Sequence, residues 1–162
     1  MQIRVGFGYD VHRLEKDQTF YLGGIKINHY KGTVAHSDGD VLIHAICDAL
    51  LGAAGLRDIG FYFPNTDKKL KNISSLILLE RTVNILKENN CSIINIDSTI
   101  CLQKPKIQDY IPEMKKVLSK VIMTDISNIS IKVTTTEKLG FVGKEEGITS
   151  YAVALIEKNN PA

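Results

Sequence analysis

Asp10 and His12 are the first residues in the chain whose spacing suggests chemistry. At positions i and i+2 of a β-strand, a carboxylate and an imidazole point to the same face. Their Cα atoms then lie roughly 7 Å apart, within reach of one shared cation. An isolated Asp-x-His pair fits an exposed strand face equally well, but His44 adds weight. It lies in a stretch that is apolar almost all round (Val41, Leu42, Ile43, Ala45, Ile46, Ala49, Leu50, Leu51), where Asp40, His44 and Asp48 form the only polar stripe. A helix of that kind is buried on most sides and presents its stripe to something. His36 stands at the helix entrance. Two histidines and an aspartate make three protein ligands, which leaves the fourth position of a tetrahedral zinc open, as catalytic sites require. Asp40 or Asp48 is expected to orient the His44 ring from outside the ligand set. His29 has no such company and reads as surface.

A second constellation is Thr134-Thr135-Thr136-Glu137, followed by Lys138-Leu139-Gly140-Phe141-Val142-Gly143. Hydroxyls, a carboxylate and glycines at a strand end suit phosphate contacts and a hard cation such as Mg2+. They suit the end of a plain strand equally. Asp58-Ile59-Gly60 and Phe63-Pro64-Asn65-Thr66-Asp67 are able to hold ribose or phosphate, and alone they signal only a turn. Lys104-Pro105-Lys106 reads as a solvated turn or an electrostatic clamp.

The elements that must position these groups follow from periodicity. Residues 3–12 alternate: Ile3, Val5, Phe7, Tyr9 and Val11 form one face, expected to be the core face. Arg4, Gly6, Gly8, Asp10 and His12 form the other. Phe20–Leu22 and Ile25–Ile27 flank Gly23-Gly24 as a short hairpin. Ser37 is the expected N-cap of a helix running to Ala54. Residues 56–72 read as a long loop, a length usually reserved for function or mobility. Ser74–Asn90 is a second helix, with Ile77, Leu78, Val83 and Leu86 as its inner stripe. Ile93–Leu102 is a strand, Asp109–Met123 a third helix with Pro112 in its first turn, and strands follow at Ile129–Val133 and Thr149–Ile156. The 21 isoleucines against 8 alanines favour sheet. The alternation suggests one α/β or α+β domain over residues 1–162, taken as an α+β two-layer fold with a mixed four- to five-stranded sheet packed against helices.

Composition excludes several classes. A chain of 162 residues buries roughly 70% of its unfolded surface and needs no staple to fold. A hydrophobic share of 44% and a charged share of 23% argue against disorder. The longest apolar stretches, such as Ala49–Leu56, fall well short of a membrane span, and no signal-peptide pattern opens the chain. A net charge of +2 without a basic block removes the electrostatic case for nucleic acid or membrane partners. Cys47, Cys91 and Cys101 are odd in number and widely spaced, and read as thiols of a reducing cytoplasm.

Taken together and in order, Gly8–Arg13, Ala35–Ala45, Asp48–Gly60, Phe63–Asp67 and Thr134–Gly143 resemble the 2-C-methyl-D-erythritol 2,4-cyclodiphosphate synthase family over essentially the whole chain. The resemblance implies a homotrimer with active sites between neighbouring subunits. It implies one Zn2+ per subunit on Asp10, His12 and His44, and Mg2+ or Mn2+ near Glu137 with the substrate. The reaction it implies is the cyclisation of 4-diphosphocytidyl-2-C-methyl-D-erythritol 2-phosphate with release of CMP, in the non-mevalonate route to isoprenoids. His36 and Thr135 would stabilise the transition state. Substrate contacts would come from Ser37, Asp58, Ile59 and Gly60, from Phe63, Pro64, Asn65, Thr66 and Asp67, and from Thr134, Thr136, Phe141 and Lys144. Leu102, Gln103, Lys104, Pro105, Lys106, Ile107 and Gln108 would line the cytosine pocket, with Lys106 close to the phosphates.

The chain departs from the usual pattern of that family at three positions. Asn65 stands where Asp is usual, Lys144 where Arg is frequent, and Glu145 where Gly is common. Position 144 would face a cavity on the threefold axis that takes isoprenoid diphosphates, and Lys offers it one charge without a bidentate fork. Two other functions share the same residues: a zinc-dependent phosphohydrolase with water as nucleophile, and a non-catalytic trimer that binds nucleotide or isoprenoid diphosphate.

Overall fold

A helix that is apolar on nearly every side must be covered on nearly every side, and this requirement organises the chain. The computed structural model describes residues 2–159; Met1 and residues 160–162 of the expected 1–162 domain lie outside them. Helix α1 (Val41–Ala54) leaves only His44, Asp48 and Gly52 outside its buried set. It lies on a sheet whose central strands are β1 (Gln2–Lys16) and β7 (Gly147–Lys158), antiparallel, with Gly6 opposite Ala154 and Gly8 opposite Ala152.

The small residues explain the fit. A Cβ on Gly6 would stand 2.0 Å from the Ala49 carbonyl oxygen, and one on Gly8 would stand 1.9 Å from that of Ala45. The helix backbone therefore rests directly on the strand backbone, which only glycine allows. Ala152 and Ala154 of β7 are buried beneath the same helix.

The expected faces of the first strand are thus reversed. The glycine face, with Asp10 and His12, packs on α1. The apolar face is outside the chain's own core: Val5 is 66% and Phe7 64% exposed, and Ile3, Tyr9 and Val11 are exposed beside them. Tyr151 and Val153 of β7 continue this outer face, with the Tyr9 and Tyr151 ring centroids 5.1 Å apart. Alternation shows that two faces differ; it does not show which one this chain covers by itself.

The sheet has five strands in the order β4-β1-β7-β5-β6, where β4 is Lys31–Val34, β5 is Cys91–Cys101 and β6 is Ile129–Thr134. Among the described residues only β5 and β6 run parallel, joined through a crossover that contains α4 (Ile111–Ile122). The sheet is therefore mixed, as expected. The edge strand β4, with Lys31-Gly32, has no counterpart in the sequence pattern. Helix α3 (Ser75–Glu88) packs against α1, and Leu78, Val83 and Leu86 are buried, whereas Ile77 is exposed.

The hairpin forms as β2 (Tyr21–Leu22) and β3 (Ile25–Lys26), with both turn glycines at positive φ as a tight two-residue turn requires. Helix α1 begins at Val41, not after Ser37. Its cap is Asp40, whose carboxylate accepts from Ile43 N at 3.1 Å and from Gly23 N and Gly24 N at 3.0 and 2.7 Å. One side chain thus closes the helix and ties the hairpin to it. Residues 56–72 are not a bare loop. They hold the short helix α2 (Ile59–Tyr62) and a 3-10 turn at Lys68–Leu70.

Candidate active site

Three side chains able to ligate a metal converge at the edge of the contact between β1 and α1. Asp10 and His12 point from β1 toward the helix, and His44 is the one polar residue of α1 that meets them. The Nδ1 atoms of His12 and His44 each lie 3.0 Å from Asp10 Oδ2, and the ligating atoms of all three residues fall within 4.8 Å of one another. His44 makes a hydrogen bond with Asp10. His12 does not: despite its proximity, its Nδ1 is buried without a correctly aligned partner. A buried nitrogen left over beside a carboxylate and a second imidazole is what a cation removed from their midst would leave. The residues present therefore fit a divalent transition metal, with one oxygen and two nitrogen ligands and room for a fourth.

The electrostatics agree. Burial alone would raise the Asp10 pKa, but the closeness of the His12 ring and the hydrogen bond and charge of His44 outweigh it and hold the carboxyl below its ordinary range. Burial alone would lower that of His44, and Asp10, helped by Asp40 and Asp38, outweighs it and raises it. Asp10 and His44 stabilise each other's charged forms, so positive charge is favoured beside this carboxylate.

A cleft of about 390 Å³ opens over this corner, lined among others by His36, Ser37, Ile59, Gly60, Phe63 and Asn65. His36 Nε2 lies 3.4 Å from the Asp67 carbonyl oxygen. Asp48 also borders the cleft, and its Oδ1 accepts from Ile59 N at 2.7 Å, which fastens α2 to α1. Asp58 caps α2 by accepting from Phe61 N. Neither Asp40 nor Asp48 orients His44, contrary to expectation: both carboxylates are occupied by backbone N–H groups. The His44 Nε2 atom instead lies 2.9 Å from Ser75 Oγ and 3.2 Å from Ser37 Oγ. Pro64, Thr66 and Asp67 form the turn beside the cleft, where the Pro64 carbonyl accepts from Asp67 N.

The other expected site residues lie elsewhere, and none of Leu102–Gln108 or Thr134–Lys144 lines this cleft. Leu102 and Ile107 are buried in the core, which leaves only their backbone for a ligand. Gln103 Oε1 accepts from Lys138 N at 3.2 Å, and Lys104 Nζ pairs with Glu145 Oε1 at 3.2 Å, so two ties join this loop to the segment after β6. The Lys104–Pro105 bond is cis. Thr135 Oγ1 donates to Glu137 Oε1 at 3.1 Å, Thr134 Oγ1 to the Thr135 carbonyl, and Thr136 Oγ1 to the Leu139 carbonyl. Glu137 and Lys138 both have positive φ, a strained arrangement for residues other than glycine that clusters at functional sites. Phe141 packs near Gly147, and Lys144 closes the short helix α5 (Gly140–Gly143) as an exposed cation. Sequence reasoning missed Ser75. The only available signal was a second serine after the Ser74 cap, with no helix-capping task left for it.

Residues 3–157 match the model of the YgbB family, and the chain belongs to that family. It is 57% identical over 158 residues to the 2-C-methyl-D-erythritol 2,4-cyclodiphosphate synthase of Parabacteroides distasonis, covering 98% of both chains. Among solved structures it is similar to the bifunctional IspDF of Campylobacter jejuni, at 40% identity and TM-score 0.94 over 98% of this chain and 43% of that one. It is also similar to IspF of Plasmodium falciparum in a CDP complex, at 37% identity and TM-score 0.84, covering 98% of this chain and 97% of that one.

Proposed function

We propose that this chain cyclises 4-diphosphocytidyl-2-C-methyl-D-erythritol 2-phosphate to 2-C-methyl-D-erythritol 2,4-cyclodiphosphate and releases CMP, acting as a phosphorus–oxygen lyase of the non-mevalonate isoprenoid pathway. The observation that carries the reading is the Asp10–His12–His44 corner opening into a cleft, in a chain 57% identical to a synthase of that name along 98% of its length.

The substrate's own 2-phosphate is the nucleophile, so the protein needs none. Its side chains agree: Cys47 is buried with its thiol pushed up to about 12, mainly by that burial. The task is to fold a flexible diphosphate back on itself and to neutralise crowded charge. Holding the two ends together can remove up to ~7–11 kcal/mol of the barrier. Asp10, His12 and His44 would hold Zn2+ and Glu137 Mg2+ or Mn2+; bound there, the cations supply charge neutralisation at the diphosphate. His36 and Ser37 stand at the cleft wall to hold phosphate oxygens, and Asp58 with Gly60 to hold the ribose. Thr135, Thr134, Thr136 and Lys106 supply further donors, and the Leu102–Gln108 loop takes the base.

We read residues 2–159 as one cyclodiphosphate synthase domain, on the support of a single cluster of buried apolar residues. We place the active site between two subunits of a cyclic homotrimer. Two observations support this. The cleft contains nothing from the base and carboxylate loops, and the outer face of β1 and β7 leaves Val5, Phe7, Tyr9 and Tyr151 exposed, as an unfilled interface would. An isoprenoid diphosphate on the threefold axis would meet the single charge of Lys144. Cysteines without disulfides, and the lack among the described residues of any helix long and apolar enough to cross a membrane, support a cytoplasmic site of action.

Phosphorus NMR after incubation with the diphosphocytidyl substrate and Mg2+ tests the activity. A cyclic diphosphate with CMP is expected. A linear monophosphate would show a hydrolase, and unchanged substrate a binding protein. Mixing inactive His44→Ala and Glu137→Ala proteins under subunit exchange tests the shared site. In random trimers about a quarter of interfaces would be intact, from independent choice of each side, and activity returns; background activity after verified exchange would refute the shared site.

A further inference from the structure

His44 presents its two ring nitrogens to different neighbours. Nδ1 faces Asp10 Oδ2 at 3.0 Å, in the ligand corner. Nε2 faces Ser75 Oγ at 2.9 Å. Ser75, the first residue of α3, is fully buried. Its hydroxyl hydrogen-bonds Asp38 Oδ1, and its backbone N–H donates to Asp38 Oδ2 at 2.8 Å. Asp40 N donates to Asp38 Oδ1 as well, at 3.2 Å.

We propose that Ser75 and Asp38 are positioning residues for the metal site, a hydrogen-bonded chain that fixes the orientation and the proton of the His44 ring so that Nδ1 is the ligating atom. The direction of every proton follows from the partners. An ionised carboxylate only accepts. The Ser75 hydroxyl has one proton, and Asp38 takes it. What the serine oxygen can offer His44 is therefore a lone pair, and Nε2 must carry a hydrogen to use it. Nδ1 also holds a proton in the metal-free protein, donated to the Asp10 carboxylate; a metal ion taking its place would leave a neutral imidazole with its proton on Nε2 and its lone pair on Nδ1. That is the atom facing Asp10 and His12. A partner beyond the ligand that sets the ring in this way is the usual companion of a metal-bound histidine.

Capping alone does not account for Ser75. Ser74 already caps α3, accepting from Leu76 N. Ser37 Oγ lies farther from Nε2, at 3.2 Å, and accepts from Gly39 N. It has no carboxylate behind it and lines the cleft, so it remains available to substrate.

The inference rests on reading Asp10, His12 and His44 as metal ligands, and the experiment separates the two. Metal-free protein is reloaded with Zn2+ against a competing chelator, and Co2+ is used to record the ligand-field spectrum. Full Zn2+ binding by His44→Ala would overturn the metal reading itself. Given its loss there, Ser75→Ala, which keeps the backbone N–H to Asp38, should weaken Zn2+ about 10–100-fold and alter the Co2+ spectrum, with the melting temperature of the metal-free form unchanged. Asp38→Asn should weaken it at least as much, since an amide N–H turned to Ser75 reverses the hydroxyl proton toward Nε2. Zn2+ affinity of Ser75→Ala within twofold of the parent protein overturns the proposal. So does a loss of affinity matched by an equal loss of metal-free stability, because that is the signature of packing.

Discussion

The ligand corner and the loop cluster make a useful contrast. Asp10, His12 and His44 stand on a long strand and a buried helix whose backbones touch through Gly6 and Gly8. Thr135, Glu137 and Lys104 stand on exposed segments held by a few side-chain bonds, with Glu137 and Lys138 in strained conformations. In the first region stability and function share the same atoms. In the second, the proposed function would rest on conformations that the core does not need. A cation demands fixed distances to several atoms, whereas a nucleotide and its phosphates can be met by a loop that adjusts.

Removing a ligand is the most direct way to test the contrast. His44→Ala should weaken metal binding by more than the roughly 100-fold that an outer partner is worth, and should also cost the metal-free protein about 1–3 kcal/mol, since Asp10 and Ser75 lose a buried hydrogen-bond partner. Metal analysis and a melting curve of the stripped protein read both. Next in size, Gly8→Ala places a methyl against the Ala45 carbonyl oxygen, so something must shift. Overpacking of this kind costs about 1–3 kcal/mol or more, and a backbone obstacle puts it at the upper end. Urea denaturation should show it, with Gly52→Ala, where a Cβ meets nothing, gaining about 0.5–1 kcal/mol as the control.

In the loop cluster the balance should reverse. Glu137→Ala should leave stability within about 0.5 kcal/mol, as surface changes do. Turnover with substrate and Mg2+ should fall by about two orders of magnitude, the scale for losing one preorganised electrostatic group. A large loss of stability in this variant would erase the distinction between the two regions. The smallest effect is expected from Glu145→Gly. It relieves a residue held at φ 59° but removes the partner of a largely exposed Lys104. The two terms are each about 1 kcal/mol and oppose one another. Stability should barely move, while affinity for a cytidine diphosphate, read by calorimetry, should drop a few-fold as the base loop loses a tie.

How much of this could be read beforehand follows the same division. The ligand corner was legible because regular elements have regular periods: two residues apart on a strand, and one polar stripe on an apolar helix. The hairpin and the second and third helices were legible for the same reason, whereas a period of two marks a strand without giving its direction. The inner face of β1 was not. Its apolar side chains outrank its glycines on any hydrophobicity scale, and only the close approach of α1 shows that the glycines are inside. The true start of α1 escaped because Ser37 and Asp40 are both good caps, and Gly23 and Gly24, distant in sequence, decide between them. Ser75 escaped because it is 31 residues from His44 and meets it only through the packing of α3 on α1.

The alternation along β1 also makes the strand a ruler. Its pairing with β7 runs unbroken from Gln2 opposite Lys158 to Arg13 opposite Gly147. One residue inserted after Gly8 would turn everything beyond it to the opposite side. The ligands would then point away from α1, and Tyr9 and Val11 would be turned toward it in their place. Substitution can edit either side of this strand separately, but a change of length edits both together. The outer face of this strand can drift in composition far more easily than the strand can change in length.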